Sequence, residues 1–179
     1  MSLLKCFQEW DEYIEFEKEH TEDSVKTREF FKEILDQYGS IIKDKKFKSV
    51  LEVGVGLSGG FEGLINAKTY TTIDPLFGKI KKKIEDTDIK EFSYDLIIIS
   101  NTLSHCDDLQ VTANKVTKVL KKGGYLFIFN YYNEDHRHPH VFTQKKEILT
   151  LFPNLKVQYI KENNGGKGRN PYVVIFFKK

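Results

Sequence analysis

Val50-Leu51-Glu52-Val53-Gly54-Val55-Gly56-Leu57-Ser58-Gly59-Gly60 decides how this chain is read. A run of strand type passes straight into a glycine-rich turn, and Phe61-Glu62-Gly63-Leu64-Ile65 then reads as the first turns of a helix. A strand that ends in such a turn and opens a helix makes a small-molecule site. Glycine lets the backbone approach a ligand closely, and a helix N-terminus offers free N–H groups to an anion. Beyond it a second run, Tyr70-Thr71-Thr72-Ile73, ends in Asp74. A carboxylate at the tip of a neighbouring strand can accept both hydroxyls of a ribose. The two signals together point to a nucleoside-containing cofactor.

The chain has 179 residues, which favours a single domain, with 1–40 as an N-terminal helical cap and 47–179 as the sheet-based core. Hydrophobic residues at 40% and charged ones at 30% fit an ordinary globular protein. The net charge of +2 makes no case for nucleic acid by itself. Lysines cluster at Lys43, Lys45, Lys46 and Lys48 and again at Lys79, Lys81, Lys82 and Lys83. They read as a solvated surface or as attraction for an anionic substrate. Cys6 and Cys106 match no metal or redox spacing, which points to a reducing compartment. With no apolar stretch long enough for a bilayer and no signal-peptide core, the expected location is the cytoplasm and no membrane partner is expected.

Residues 3–38 carry helical periodicity with a break near 20–24. Thr21 or Ser24 suits a cap and Gly39 a stop. These helices precede the first strand and either pack on the sheet or cover the pocket as a lid. Residues 49–53 and 70–73 read as strands with a helix over 61–67 between them. Residues 79–84 are a short helix or a third strand. An apolar strand at 95–100 is of the kind buried on both faces. A helix over 109–120 should turn Val111, Val116, Val119 and Leu120 inward. A strand follows at 125–129, then a helix over 142–152 capped by Thr143. Residues 155–160 and 172–177 read as an antiparallel hairpin across a glycine-rich loop. The expected class is α/β: a doubly wound, Rossmann-like, seven-stranded, mostly parallel sheet with an antiparallel C-terminal hairpin and N-terminal helices.

Gly54-x-Gly56-x-x-Gly59 also fits the dinucleotide fingerprint, with Asp74 at the usual distance. Against a nicotinamide oxidoreductase, the chain is too short for a separate substrate domain, ends in a strand hairpin, and carries Glu52 just before the first glycine. From about Ser49 to the C-terminus the residues resemble the class I S-adenosylmethionine-dependent methyltransferases. Leu51-Glu52-Val53-Gly54-Val55-Gly56 is similar to their first motif and Ile73-Asp74-Pro75-Leu76 to their acidic motif. Tyr94-Asp95-Leu96-Ile97-Ile98-Ile99-Ser100-Asn101-Thr102-Leu103-Ser104-His105 resembles the fourth-strand motif, and Val119-Leu120-Lys121-Lys122-Gly123-Gly124-Tyr125-Leu126 the turn before strand five. Ser58-Gly59-Gly60 and the short segment between Asp74 and Asp95 depart from the family pattern.

The resemblance implies S-adenosylmethionine as cofactor. Gly54, Val55, Gly56, Ser58 and Gly59 would lie against its methionine part, with Glu52 orienting the loop. Asp74 would hold the ribose. Leu76, with Pro75 beside it, would pack on the adenine, and Asp86 or Asp88 would approach its amino group. Asn101, Thr102 and Leu103 would border the amino-acid end.

Methyl transfer needs a nucleophile held in line and, for a hydroxyl acceptor, a base to remove a proton. Imidazole titrates near neutral pH, and the candidates are His140, His105 and His138. His136, Arg137, Tyr131 and Tyr132 are candidates for the acceptor pocket. Alternate histidines also suit a metal, but no carboxylate or cysteine completes a set, so none is assigned. The expected reaction is methylation of a small-molecule or glycan-type acceptor, at oxygen. A non-catalytic cofactor-binding module is one alternative. Methylation of RNA or DNA is the other, motivated by the lysines but lacking an Asp/Asn-Pro-Pro-aromatic signature after strand four. Asn170-Pro171-Tyr172 resembles part of it, but its place before the last strand should keep it from facing the methyl group.

Overall fold

A computed structural model describes residues 22–56, 58–132, 140–164 and 171–179. Six strands form one mixed sheet: β1 Phe47–Val53, β2 Ala67–Ile73, β3 Tyr94–Ser100, β4 Leu120–Tyr131, β5 Lys156–Asn163 and β6 Tyr172–Lys178. Their order is β2-β1-β3-β4-β6-β5. The first four run parallel, while β6 lies antiparallel to both β4 and β5. Among the described residues three helices accompany them: α1 Glu22–Tyr38, α2 Leu109–Val119 and α3 Lys145–Leu151. Among the described residues no helix is long and apolar enough to cross a membrane.

The central strands are buried on both faces, and side-chain alternation sorts them into two cores. Val50, Leu96, Ile98, Phe127, Phe129 and Phe176 face α1, against Phe30, Phe31, Ile34 and Leu35. Leu51, Val53, Ile97, Ile99, Leu126 and Ile128 face α2 and α3, against Ala113, Val116, Ile148 and Phe152.

The expected seventh strand is not among the described residues. Where a third strand would add, Ile80 makes a single parallel bridge to Ile73, and Ile84–Asp86 forms one 3-10 turn. Lys79 and Ile80 still cover part of the β2 edge, since their N–H groups donate to Thr72 Oγ1 and the Thr72 carbonyl. The helix expected over 61–67 is also absent. Residues 58–64 are turns, because Gly59, Gly60 and Gly63 all take left-handed φ angles that interrupt a right-handed helix. Phe61 and Ile65 nevertheless fill the core beside α1.

Smaller corrections concern helix ends. α1 stops at Tyr38 and Gly39 opens a 3-10 turn, but the first N-terminal helix and Thr21 lie outside the described residues. Asp108 caps α2, its Oδ1 accepting from the N–H groups of Gln110 (2.8 Å) and Val111 (3.0 Å). Val111 is therefore on the first turn's outer side, 46% exposed, and Thr112 and Ala113 take the inward positions. α3 begins only at Lys145, after Glu147 has reached back to the N–H groups of Thr143 and Gln144.

Candidate functional site

The carboxyl ends of β1, β2, β3 and β4 share one edge of the sheet. Gly54 leaves β1 there with a φ of +74°, and a Cβ on it would stand 1.9 Å from Thr102 Oγ1. That hydroxyl lies 2.8 to 3.3 Å from the carbonyls of Ser100, Val53 and Gly54. Gly56 and Gly59 also take positive φ, yet no heavy atom lies within 4 Å of where a Cβ would stand. Their backbone faces open space, as a loop lying against a ligand requires. Val55 is buried beneath them, and Ser58 Oγ reaches back to the Val55 carbonyl.

Asp74 closes the other side. Its Oδ1 accepts from the N–H groups of Leu76 (2.9 Å) and Phe77 (3.0 Å), and Oδ2 accepts from Gly56 (3.1 Å). The carboxylate thus caps the turn that begins at Pro75 and ties the glycine loop to β2. A carboxylate offers about four acceptor positions, so Oδ2 keeps capacity for a hydroxyl.

Glu52 is fully buried. Both its oxygens accept from the Phe61 N–H (3.1 and 3.0 Å), and Oε2 accepts from the Tyr70 hydroxyl at 2.6 Å. Burial outweighs these bonds and pushes its carboxyl up to about 7. Burial, then the neighbouring Glu52, raises the Tyr70 phenol as well. A Cβ on Gly60 would stand 2.1 Å from Glu52 Oε1, so the buried carboxylate itself demands glycine there. From the opposite side Arg28 of α1 donates to the carbonyls of Gly60 (3.2 Å) and Glu62 (2.6 Å). Arg28 and Tyr70 were invisible as site residues. No sequence pattern sets Arg28 apart from other helix charges or Tyr70 from other strand aromatics.

Asn101 follows β3 with φ +50°, uncommon outside glycine, and its Oδ1 accepts from the Tyr131 N–H at 3.3 Å. The 3-10 turn Leu103–His105 comes next. The His140 N–H donates to the Ser104 carbonyl at 3.3 Å, which brings His140 beside the turn that carries His105. His140 Nε2 is buried with no hydrogen-bond partner among the described residues. His136, Arg137 and His138 lie outside the described residues.

Tyr131 stands in an aromatic cluster at this edge, stacked on Phe30 (6.2 Å between ring centres) and edge-on to Phe129. Tyr132 is committed elsewhere: its hydroxyl donates to Glu162, which also pairs with Lys145. Asp86 and Asp88 are exposed, and the bound carboxylate of that segment is Glu85, which accepts from Thr112 Oγ1 (2.8 Å) and the Asp107 N–H (3.2 Å). Burial pushes the Cys106 thiol up to about 12. Of Asn170-Pro171-Tyr172, the two described residues stand at the carboxyl edge, contrary to the expectation from chain order. Because β6 runs antiparallel, Tyr172 pairs with Tyr131, and Pro171 accepts from the Tyr132 N–H at 2.8 Å, all at the carboxyl edge. The lysines divide. Lys79 pairs with Glu62 and Lys83 with Asp107, while Lys46 and Lys48 join Lys121 and Lys122 around a hollow of about 510 Å³ by the amino ends of β1 and β3.

A family model for a methyltransferase domain matches residues 25–165. The chain belongs to that methyltransferase family. S-adenosylmethionine is its cofactor, and the open cradle of Gly56 and Gly59 beside the Asp74 carboxylate fits it. The methyltransferase has the fold of N-methyltransferase NodS from Bradyrhizobium japonicum WM9, with 20% identity, a TM-score of 0.68, and 86% of this chain and 96% of that one covered. The same protein in complex with S-adenosylhomocysteine gives 16% identity, a TM-score of 0.63 and coverage of 92% and 87%. The [4+2]-cyclase SpnF matches at 9% identity, with a TM-score of 0.64 and coverage of 83% and 80%. Over 75 residues, 42% of this chain, the methyltransferase is 32% identical to the PKS-NRPS hybrid synthetase cheA of Chaetomium globosum. That stretch is 2% of the curated relative's length. One fold thus serves an N-methyltransferase and a cyclase, so the acceptor has to be argued from this chain's own residues.

Proposed function

We propose that this methyltransferase methylates an oxygen of a small-molecule or glycan-type acceptor, in the cytoplasm, with His140 as the base. The cofactor supplies an activated methyl group on its sulfonium. Gly54, Gly56 and Gly59 offer their backbone to its amino-acid part, and Asp74 Oδ2 accepts from the ribose. Leu76, beside Pro75 in the turn that Asp74 caps, would cover the adenine. Thr102 holds the edge of the loop against β1. Tyr131 and its aromatic neighbours would wall the acceptor and exclude water.

The observation that carries the reading is the His140 Nε2: a buried nitrogen without a described partner, on a residue whose backbone is bonded to Ser104. A nitrogen so kept from water can accept the proton that an acceptor hydroxyl must lose. The test is methyl transfer from labelled S-adenosylmethionine to a panel of hydroxyl, amine and carboxylate acceptors, including glycans. Turnover confined to amines would overturn the oxygen assignment.

A further inference from the structure

We propose that Arg28 is a positioning residue for the cofactor loop, holding from α1 the turn that a crossover helix would otherwise order. Between β1 and β2 the described residues, 54–56 and 58–66, form no helix. A helix would satisfy its own carbonyls throughout, whereas within this segment the backbone bonds are those of turns, Leu64 N–H to Phe61 and Gly59 N–H to Gly56. Its donor and acceptors are met from two sides instead. Toward the sheet, buried Glu52 takes the Phe61 N–H, and the Tyr70 hydroxyl fixes that carboxylate. Toward α1, the Arg28 guanidinium takes the carbonyls of Gly60 and Glu62 with two separate nitrogens. The rigid planar fork of arginine suits two acceptors at once, whereas the single ammonium of lysine does not.

The consequence is long-range. Five glycines with positive φ, at 54, 56, 59, 60 and 63, leave this segment little conformational preference of its own. Apparent affinity falls with the fraction of molecules whose binding surface is in the competent arrangement. Docking of α1 through Arg28 therefore sets cofactor affinity, although Arg28 need not touch the cofactor. The inference rests on the reading that the glycine loop holds the cofactor.

Titration calorimetry with S-adenosylhomocysteine on the full chain, its R28M, R28K and D74A variants, together with hydrogen exchange, tests it. R28M should bind about tenfold more weakly or worse, and R28K should recover little of that loss. Amides of 60–63 should exchange faster in both, while those of β3 and β4 keep the wild-type rate. Binding within about twofold of wild type would overturn the proposal, as would accelerated exchange across the whole sheet. If R28M fails to fold, R28K, which keeps stem and charge, is judged by the same two criteria. Normal binding by the Arg28 variants beside a loss in D74A would remove Arg28 and leave the loop reading standing. No binding by the wild-type protein would overturn both.

Discussion

Thr102 Oγ1 occupies the space that a side chain on Gly54 would need, 1.9 Å from the position of a Cβ. The same hydroxyl reaches the carbonyls of Val53 and Gly54, so the turn after β3 clamps the end of β1. Gly54→Ala meets both a clash and a φ of +74°. It should cost about 2 kcal/mol or more and abolish binding of S-adenosylhomocysteine. Adding Thr102→Ala removes the two nearest atoms but leaves the residue 102 Cβ 2.6 Å away and the dihedral unchanged, so the double variant should recover only part of the lost stability. Thermal denaturation checks this; a Gly54→Ala protein as stable as wild type would show that Thr102 does not clamp Gly54.

Asp74 serves the turn and the loop at once, which separates two substitutions. Asp74→Asn keeps acceptor geometry at Leu76 and Phe77 but loses the charge, and should weaken cofactor binding by about 10- to 100-fold. The Gly56 N–H loses its acceptor in both variants, since the Asn amide nitrogen replaces Oδ2, but Asp74→Ala also releases the N–H groups of Leu76 and Phe77 and should show a clearly lower melting temperature than Asp74→Asn. Unchanged affinity in a folded Asp74→Asn protein would mean that the ribose is held elsewhere.

Glu52 gives the fold a pH dependence of its own. Its carboxyl titrates near 4.5 when exposed and about 7 in the fold, because burial disfavours the charge. Between those values the native state keeps a proton that the unfolded chain has lost. Stability from this group is therefore present below pH 4.5 and declines as pH rises to about 7, by up to about 3 kcal/mol. Melting temperatures of wild type and Glu52→Gln from pH 4.5 to 8 measure it. The variant's curve should lack this decline, and parallel curves would refute it.

The strands were legible because Leu96-Ile97-Ile98-Ile99 and Leu126-Phe127-Ile128-Phe129 are unbroken apolar runs, the pattern of strands covered on both faces. The turn segment misled because Phe61 and Ile65, four apart, match a helical face while doing the same burial from turns. The glycines at 59, 60 and 63 carried the contrary signal. No periodicity reveals Arg28, since its partners are backbone carbonyls more than thirty residues away. The pairing of His140 with Ser104 is equally long-range, a product of topology rather than of local pattern.

That pairing frames the choice of base. Proton removal by a positioned base typically contributes about 10²–10⁴ in rate. His140→Ala should lower turnover by about that factor while S-adenosylhomocysteine affinity stays within about twofold of wild type, because His140 lies on the acceptor side of the glycine loop in this reading. His105, on the 3-10 turn that His140 abuts, is the competing candidate. If His105→Ala abolishes turnover and His140→Ala does not, the base is His105, and the loop after β4 only shapes the pocket. His138, two residues before His140 in the sequence, is tested by the same substitution. If no histidine variant slows transfer, proximity alone carries the reaction and the acceptor oxygen is ionised before it binds, so turnover should then follow the acceptor's own pKa across a substrate series.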